Sequence, residues 1–160
     1  KPNIEFIVSD ILNFSYPDNR FDFITLFDVI EHIPLKEHPA VFKLISRYMN
    51  EKTILLINIP HPHLIEYDRK YHPKDLQIVD EAVQANFVLE NAYSADMNLM
   101  FFASYGIWHE NDYQMIAFNK QNTFTNIKIS EKITMLKKII NRLKKWNNKI
   151  LLLSTYKINK

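Results

Sequence analysis

The stretch Phe21 to Ile33, FDFITLFDVIEHI, constrains the fold of this chain more than any other. Its run of Phe, Ile and Leu is nearly continuous, as expected of a parallel strand in a sheet covered by helices on both faces. The polar residues Asp28, Glu31 and His32 gather just past that run. Open α/β sheets bind ligands outside the carboxyl ends of their strands. A site is therefore expected where the run ends.

The flanking sequence continues an alternation of strand and helix. Ile4 to Val8 reads as a short buried strand ending at Ser9-Asp10, and Tyr16-Pro17-Asp18-Asn19-Arg20 as a turn leading into the strand Phe21 to Phe27. A helix is expected from Pro39 to about Asn50, with Val41, Phe42, Ile45 and Met49 on one face. Thr53 to Ile59 is the next buried strand, stopped by Pro60. The His-, Pro- and Tyr-rich stretch from His61 to Pro73 reads as a loop or lid. A helix between Asp80 and Asp96 follows, then Leu99 to Trp108 and Tyr113 to Asn119 as an antiparallel hairpin.

The net charge of +2 hides a split. Residues 1–124 hold ten Lys/Arg against seventeen Asp/Glu, or −7, and residues 125–160 hold ten against one, or +9. This pattern predicts an acidic globular domain over 1–124 and a basic appendage over 125–160. In the appendage, apolar residues from Ile133 to Leu153 recur at helical spacing among lysines. The segment 131–153 thus reads as a basic amphipathic helix, suited to an anionic membrane surface or to docking on the acidic domain or a second copy of the chain. Nucleic acid is disfavoured, because no stacking aromatics beyond Trp146 interleave with the basic residues. No run approaches the roughly 18 apolar residues of a membrane span. The lack of cysteine excludes disulfides and thiolate metal sites and fits a cytoplasmic protein, free or peripheral to a membrane.

Through Ser9-Asp10, Phe21 to Ile33 and Thr53 to Ile59, the chain resembles a class I S-adenosylmethionine-dependent methyltransferase over roughly residues 4–120. The resemblance implies an α/β, Rossmann-like sheet with strand order 3-2-1-4-5-7-6. Ile4 to Ser9 would be its third strand and Phe21 to Phe27 its fourth. Such enzymes hold the cofactor's methionine portion on a Gly-rich turn after the first strand, where a side chain would block the backbone's approach. This chain has one glycine, Gly106. The expected sheet is therefore incomplete, from the third strand onward, with the Gly-rich turn and the ribose-binding acid upstream of Lys1.

The resemblance also assigns roles. Asp10 would accept a hydrogen bond from the adenine amino group, since an ionised carboxylate is acceptor-only, and the N–H of Ile11 would meet a ring nitrogen. A capping role is the alternative for Asp10. Phe27, Asp28 and Val29 lie where the family's chain passes the cofactor. Glu31-His32 is the sharpest candidate for chemistry. Methyl transfer is an in-line displacement at a sulfonium methyl, and a histidine, with an ordinary pKa of about 6.5, suits removal of the nucleophile's proton. The alternative is a scaffold pair, with Glu31 hydrogen-bonded to backbone.

The spacing Asp28-x-x-Glu31-His32 is also similar to the Glu-x-x-Glu-His of quinone-biosynthesis O-methyltransferases, where these residues are linked to a divalent metal. Asp in the first place shortens that reach, and no metal is expected. His61, His63 and Tyr67 are candidate substrate contacts, in the connection that commonly covers the family's acceptor pocket. Asp80 and Glu81 read as exposed acids at a helix start. The implied function is methyl transfer from S-adenosyl-L-methionine to oxygen or nitrogen of a small molecule. A sugar or lipid-linked glycan is suggested by the basic helix alone. The rival is a methyltransferase-like binding or regulatory module without turnover.

Overall fold

Apolar runs bounded by turn residues form four strands and the segments between them three helices, in a computed structural model that describes residues 4–17 and 20–123. In chain order these are β1 (Phe23–Phe27), α1 (His38–Arg47), β2 (Ile54–Pro60), α2 (Pro62–Tyr71), α3 (Ala85–Ser94), β3 (Asn98–Tyr105) and β4 (Tyr113–Asn119). The helix expected over 131–153 lies outside the described residues.

β1 and β2 pair in parallel, Phe23 opposite Ile54 and Phe27 opposite Asn58. A parallel pair needs a crossover, which contains α1. β4 inserts between β2 and β3 and runs antiparallel to both, so the sheet order is β1-β2-β4-β3. With β1 as the family's fourth strand, this is the expected partial order 4-5-7-6. The Rossmann-like half-sheet is present, with the predicted hairpin at its edge.

β2 is the buried centre: Leu55, Ile57 and Ile59 have no exposed surface. Phe42 from α1, Val88 from α3, and Ile116 and Phe118 from β4 join them in one core. Burying such a side chain stabilises the fold by about 1.5–3 kcal/mol. The helix expected from Pro39 to Asn50 forms with Val41, Phe42 and Ile45 inward, as its spacing requires.

Three local expectations are corrected. Ile4 to Val8 forms no strand, and Phe6 and Val8 are almost fully exposed. A strand needs a hydrogen-bonding neighbour; in the expected order the third strand meets the second, so β1 offers no partner. For a related reason β1 is not covered on both faces: Leu26 is buried, but Phe23 and Phe27 are about half exposed at the sheet's edge. Finally, much of the supposed loop from His61 to Pro73 is the helix α2. Pro62 sits in its first turn, where a missing N–H is harmless and the fixed φ suits a helix. The His61 ring caps that turn by accepting the His63 N–H at 3.2 Å. The next helix, α3, begins only at Ala85, so residues 80–84 are left as an irregular connection.

The single glycine is explained by the hairpin loop. A Cβ on Gly106 would lie 2.5 Å from the carbonyl oxygen of His109, closer than side-chain carbons come to backbone. The Asp112 carboxylate then accepts the N–H groups of Ile107, Trp108 and His109 at 2.7–2.9 Å. Burial pushes the Asp112 carboxyl up, but these N–H groups win and hold it below the usual range. The loop is thereby shaped to present Trp108 and His109 above the ends of β1 and β2.

Candidate functional site

β1 ends at Asp28, whose backbone is left-handed (φ 51°), a conformation that Asp tolerates better than most residues. Its N–H still reaches back to the Asn58 carbonyl of β2 at 2.9 Å. The chain then forms a single 3-10 turn, Ile30–His32. This turn is held from below by the buried His38, whose Nε2 lies 2.9 Å from the carbonyl oxygens of both Ile30 and Ile33. Both partners are acceptors, so Nε2 carries the hydrogen and donates. Two backbone carbonyls anchored by one ring fix where Glu31 and His32 point.

They point toward a cavity of about 420 Å³ between the β1 turn, α2, residues 75–80 and the hairpin loop. His32 is the best-placed base there. Its Nδ1 is 2.7 Å from Asp80 Oδ1 and 3.0 Å from the Val79 carbonyl. Since both neighbours are acceptors, the hydrogen belongs on Nδ1 and leaves Nε2 as the acceptor. Gln77 places its amide nitrogen 3.2 Å from that Nε2. Asp80 also accepts the Gln77 N–H at 2.6 Å, and the Glu81 N–H donates to the Glu31 carbonyl at 2.8 Å. Residues 77–81 thus form a strap bonded to the turn that carries His32.

Glu31 is the anomaly. Its side chain is 2% exposed, yet neither carboxylate oxygen has a hydrogen-bond partner of good geometry. Burial pushes its carboxyl up to about 7; its own backbone N–H and His32, 3.9 Å away, oppose the shift, while Asp28 and Asp80 add to it. Nearby, burial first, and then the charge and hydrogen bond of Asp28, push Tyr113 up to about 12, with smaller contributions from Glu31 and Asp112. Tyr113 is therefore a firm O–H donor at neutral pH.

A half-sheet of order 4-5-7-6 with an acid-and-histidine turn at the end of its first strand narrows the family. A family model described as a methyltransferase domain matches residues 1–117. The chain belongs to the class I, S-adenosylmethionine-dependent methyltransferase-domain family. Its fold is shared by solved structures. A Pyrococcus horikoshii protein superposes with a TM-score of 0.57 at 19% identity, covering 73% of this chain and 59% of that one. An S-adenosylmethionine-dependent methyltransferase from Clostridium acetobutylicum gives 0.54 at 10%, covering 71% and 63%. Magnesium protoporphyrin IX methyltransferase from Synechocystis, solved with S-adenosylhomocysteine, gives 0.55 at 10%, covering 72% and 50%. The chain thus spans less than two thirds of these relatives' lengths. Comparison with curated proteins finds no match.

The described residues fit part of the family's cofactor. S-adenosylmethionine carries a sulfonium and an ammonium, and the carboxyl end of β1 offers the Asp28 carboxylate beside the half-exposed Phe27 ring. Asp28, Phe27 and Val29, at the carboxyl end of β1, are the residues that would meet it. No Gly-rich turn occurs among the described residues, so a cradle for the rest of the cofactor is not among them. Nor is any group of three or more His, Asp or Glu side chains there placed to hold a metal ion.

The structure separates the other residues singled out in the sequence. Asp28, Glu31 and His32 share the main cavity. His61, His63 and Tyr67 line a neighbouring cavity of about 380 Å³ on α2. The His61 and His63 rings stack 5.1 Å apart, and burial, then the charge of His63, lowers the His61 pKa. Asp10 caps the 3-10 turn Ile11–Asn13, its Oδ1 accepting the Leu12 N–H at 2.8 Å, while Ile11 packs against the core. Asp80 was read as an exposed helix-start acid and is corrected: its side chain is 8% exposed and faces His32. Asp80, Gln77 and Tyr113 went unrecognised because no local spacing links them to His32. No helix among the described residues is long and apolar enough to cross a membrane.

Proposed function

We propose that the protein transfers a methyl group from S-adenosylmethionine to oxygen or nitrogen of a small molecule held in the cavity beyond β1 and β2. The observation that carries this reading is His32, held by Asp80 on Nδ1 with its Nε2 facing the cavity beside the Gln77 amide. When bound, the cofactor supplies an electrophilic methyl on sulfur. The chain's own residues would do the remaining work. An acceptor O–H or N–H would replace the Gln77 amide at Nε2, and His32 would take its proton as the nucleophile attacks. Asp80 would keep the ring in the Nδ1–H tautomer and offset the imidazolium charge. The strap over 77–81 would exclude water and hold the acceptor in line.

Labelled-cofactor transfer to a panel of alcohols and amines tests this reading. His32→Ala should lower turnover by about 10²–10⁴ while cofactor affinity stays nearly unchanged. Loss of stability with an undiminished rate per folded molecule removes His32 from the mechanism. We further propose that residues 131–153 bring the protein to an anionic membrane surface, which is the only support for a sugar or lipid-linked glycan as acceptor.

A further inference from the structure

The main cavity is electrostatically one-sided. Five carboxylates line it and no Lys or Arg does. Several of these acids are already matched: Asp80 faces His32 at 2.7 Å, and Asp68 faces His72 at 3.0 Å. Arg69 on α2 is engaged with Glu66 and the Asp80 carbonyl. Glu31 and Asp28 have no Lys or Arg partner among the described residues. Asp28 at least has the Tyr113 hydroxyl; Glu31 has only the distant His32.

A buried carboxylate with two unused oxygens is expensive unless a ligand completes it. The ligand must donate hydrogen bonds, and a cation satisfies the site better than a neutral group because charge-assisted bonds are roughly twice as strong. The cofactor's position does not account for this acid. In the family order the Gly-rich turn follows the first strand, which flanks β1 on its open edge. The cavity with Glu31 extends from the β1 turn toward α2 and the hairpin loop, away from that edge. Trp108 and Tyr113 add aromatic faces to the same lining, a surface that attracts an ammonium group and tolerates its carbon skeleton.

We infer that the acceptor is an amine, bound through its ammonium group by the Glu31 carboxylate. The inference rests on the methyl-transfer reading for the reaction but not for the binding. The bound ammonium loses one proton to His32 Nε2. The freed nitrogen lone pair forms the N–C bond as the methyl's C–S bond breaks, and the sulfur keeps that bond's electron pair. The products are a protonated N-methylamine and S-adenosylhomocysteine, and His32 returns its proton to water.

The test separates binding from turnover. Benzylamine and benzyl alcohol match in shape and differ in charge at neutral pH. Titrated by NMR into the intact protein, benzylamine should bind at least tenfold more tightly and shift the Trp108 indole and His32 signals. Glu31→Gln should remove most of that preference, and Glu31→Asp should retain part of it. Equal affinities, or a preference untouched by Glu31→Gln in a variant with native spectra, overturn the inference. Labelled-cofactor transfer supplies the second arm. Methylation of alcohols but not amines sinks the amine assignment and leaves methyl transfer standing. Selective amine binding with no transfer to any acceptor sinks the methyl-transfer reading alone.

Discussion

Replacing Glu31 by Gln should make the protein more stable at neutral pH and change little in acid. Glu31 is buried with no partner for its carboxylate, and it titrates near 7 in the fold against an ordinary value of 4.5. Between those values the unfolded chain releases the proton that the native state keeps. Native stability therefore falls as pH rises from 4.5 to about 7 and is level above. At about 1.4 kcal/mol per pH unit, the window gives an upper bound of about 3 kcal/mol. The cavity is open to water, which screens the charge, so about 1–2 kcal/mol is the expected size.

Glutamine keeps the shape and cannot ionise. The stability difference between variant and parent should thus grow by about 1–2 kcal/mol between pH 4.5 and 7.5 and then stay flat. Urea unfolding of both proteins across that range measures it, and the subtraction cancels titrating groups that do not interact with Glu31. A difference independent of pH would refute the idea that Glu31 carries an uncompensated burial cost. A difference growing with the opposite sign would mean that the carboxylate has a cation beside it.

Three further outcomes are expected. Asp80→Asn should slow turnover by about 10²-fold, because a small displacement of a positioned group is that costly, and should alter the pH–rate profile. An unchanged profile with lowered stability leaves Asp80 a structural role only. If Asp10 holds the adenine, Asp10→Ala should weaken cofactor binding about ten- to hundredfold, as when a buried donor loses its acceptor. Unchanged affinity in calorimetry assigns it to capping the turn at Leu12. Deleting residues 131–160 should abolish co-sedimentation with anionic vesicles while sparing activity on a soluble acceptor; absence of vesicle binding by the intact protein at low salt ends the membrane proposal.

The sequence by itself was enough for the family and most of the fold. FDFITLF and TILLINI are apolar runs too short for a typical helix, rich in β-formers and bounded by turn residues, so β1 and β2 were legible from composition and length. The helical spacing of Val41, Phe42 and Ile45 was equally local. That Glu31 and His32 line a cavity followed from their position just past a strand. Local signals failed where a neighbour decides the outcome. Ile4 to Val8 has strand-forming residues but no strand to bond to, and α2 hid its period under His, Tyr and charge.

Only the tertiary structure decided what Glu31 and His32 are. Asp80 is distant in sequence from His32 yet 2.7 Å from its ring, and that contact turns an exposed-looking acid into the group that selects the tautomer. Glu31 resembles any surface glutamate in the sequence. It becomes a perturbed carboxyl because the strap over 77–81 and the β1 turn cover most of it and bring no counter-charge. Periodicity records what a residue costs to bury along its own element. Desolvation and pairing depend on which distant segments the fold lays against it.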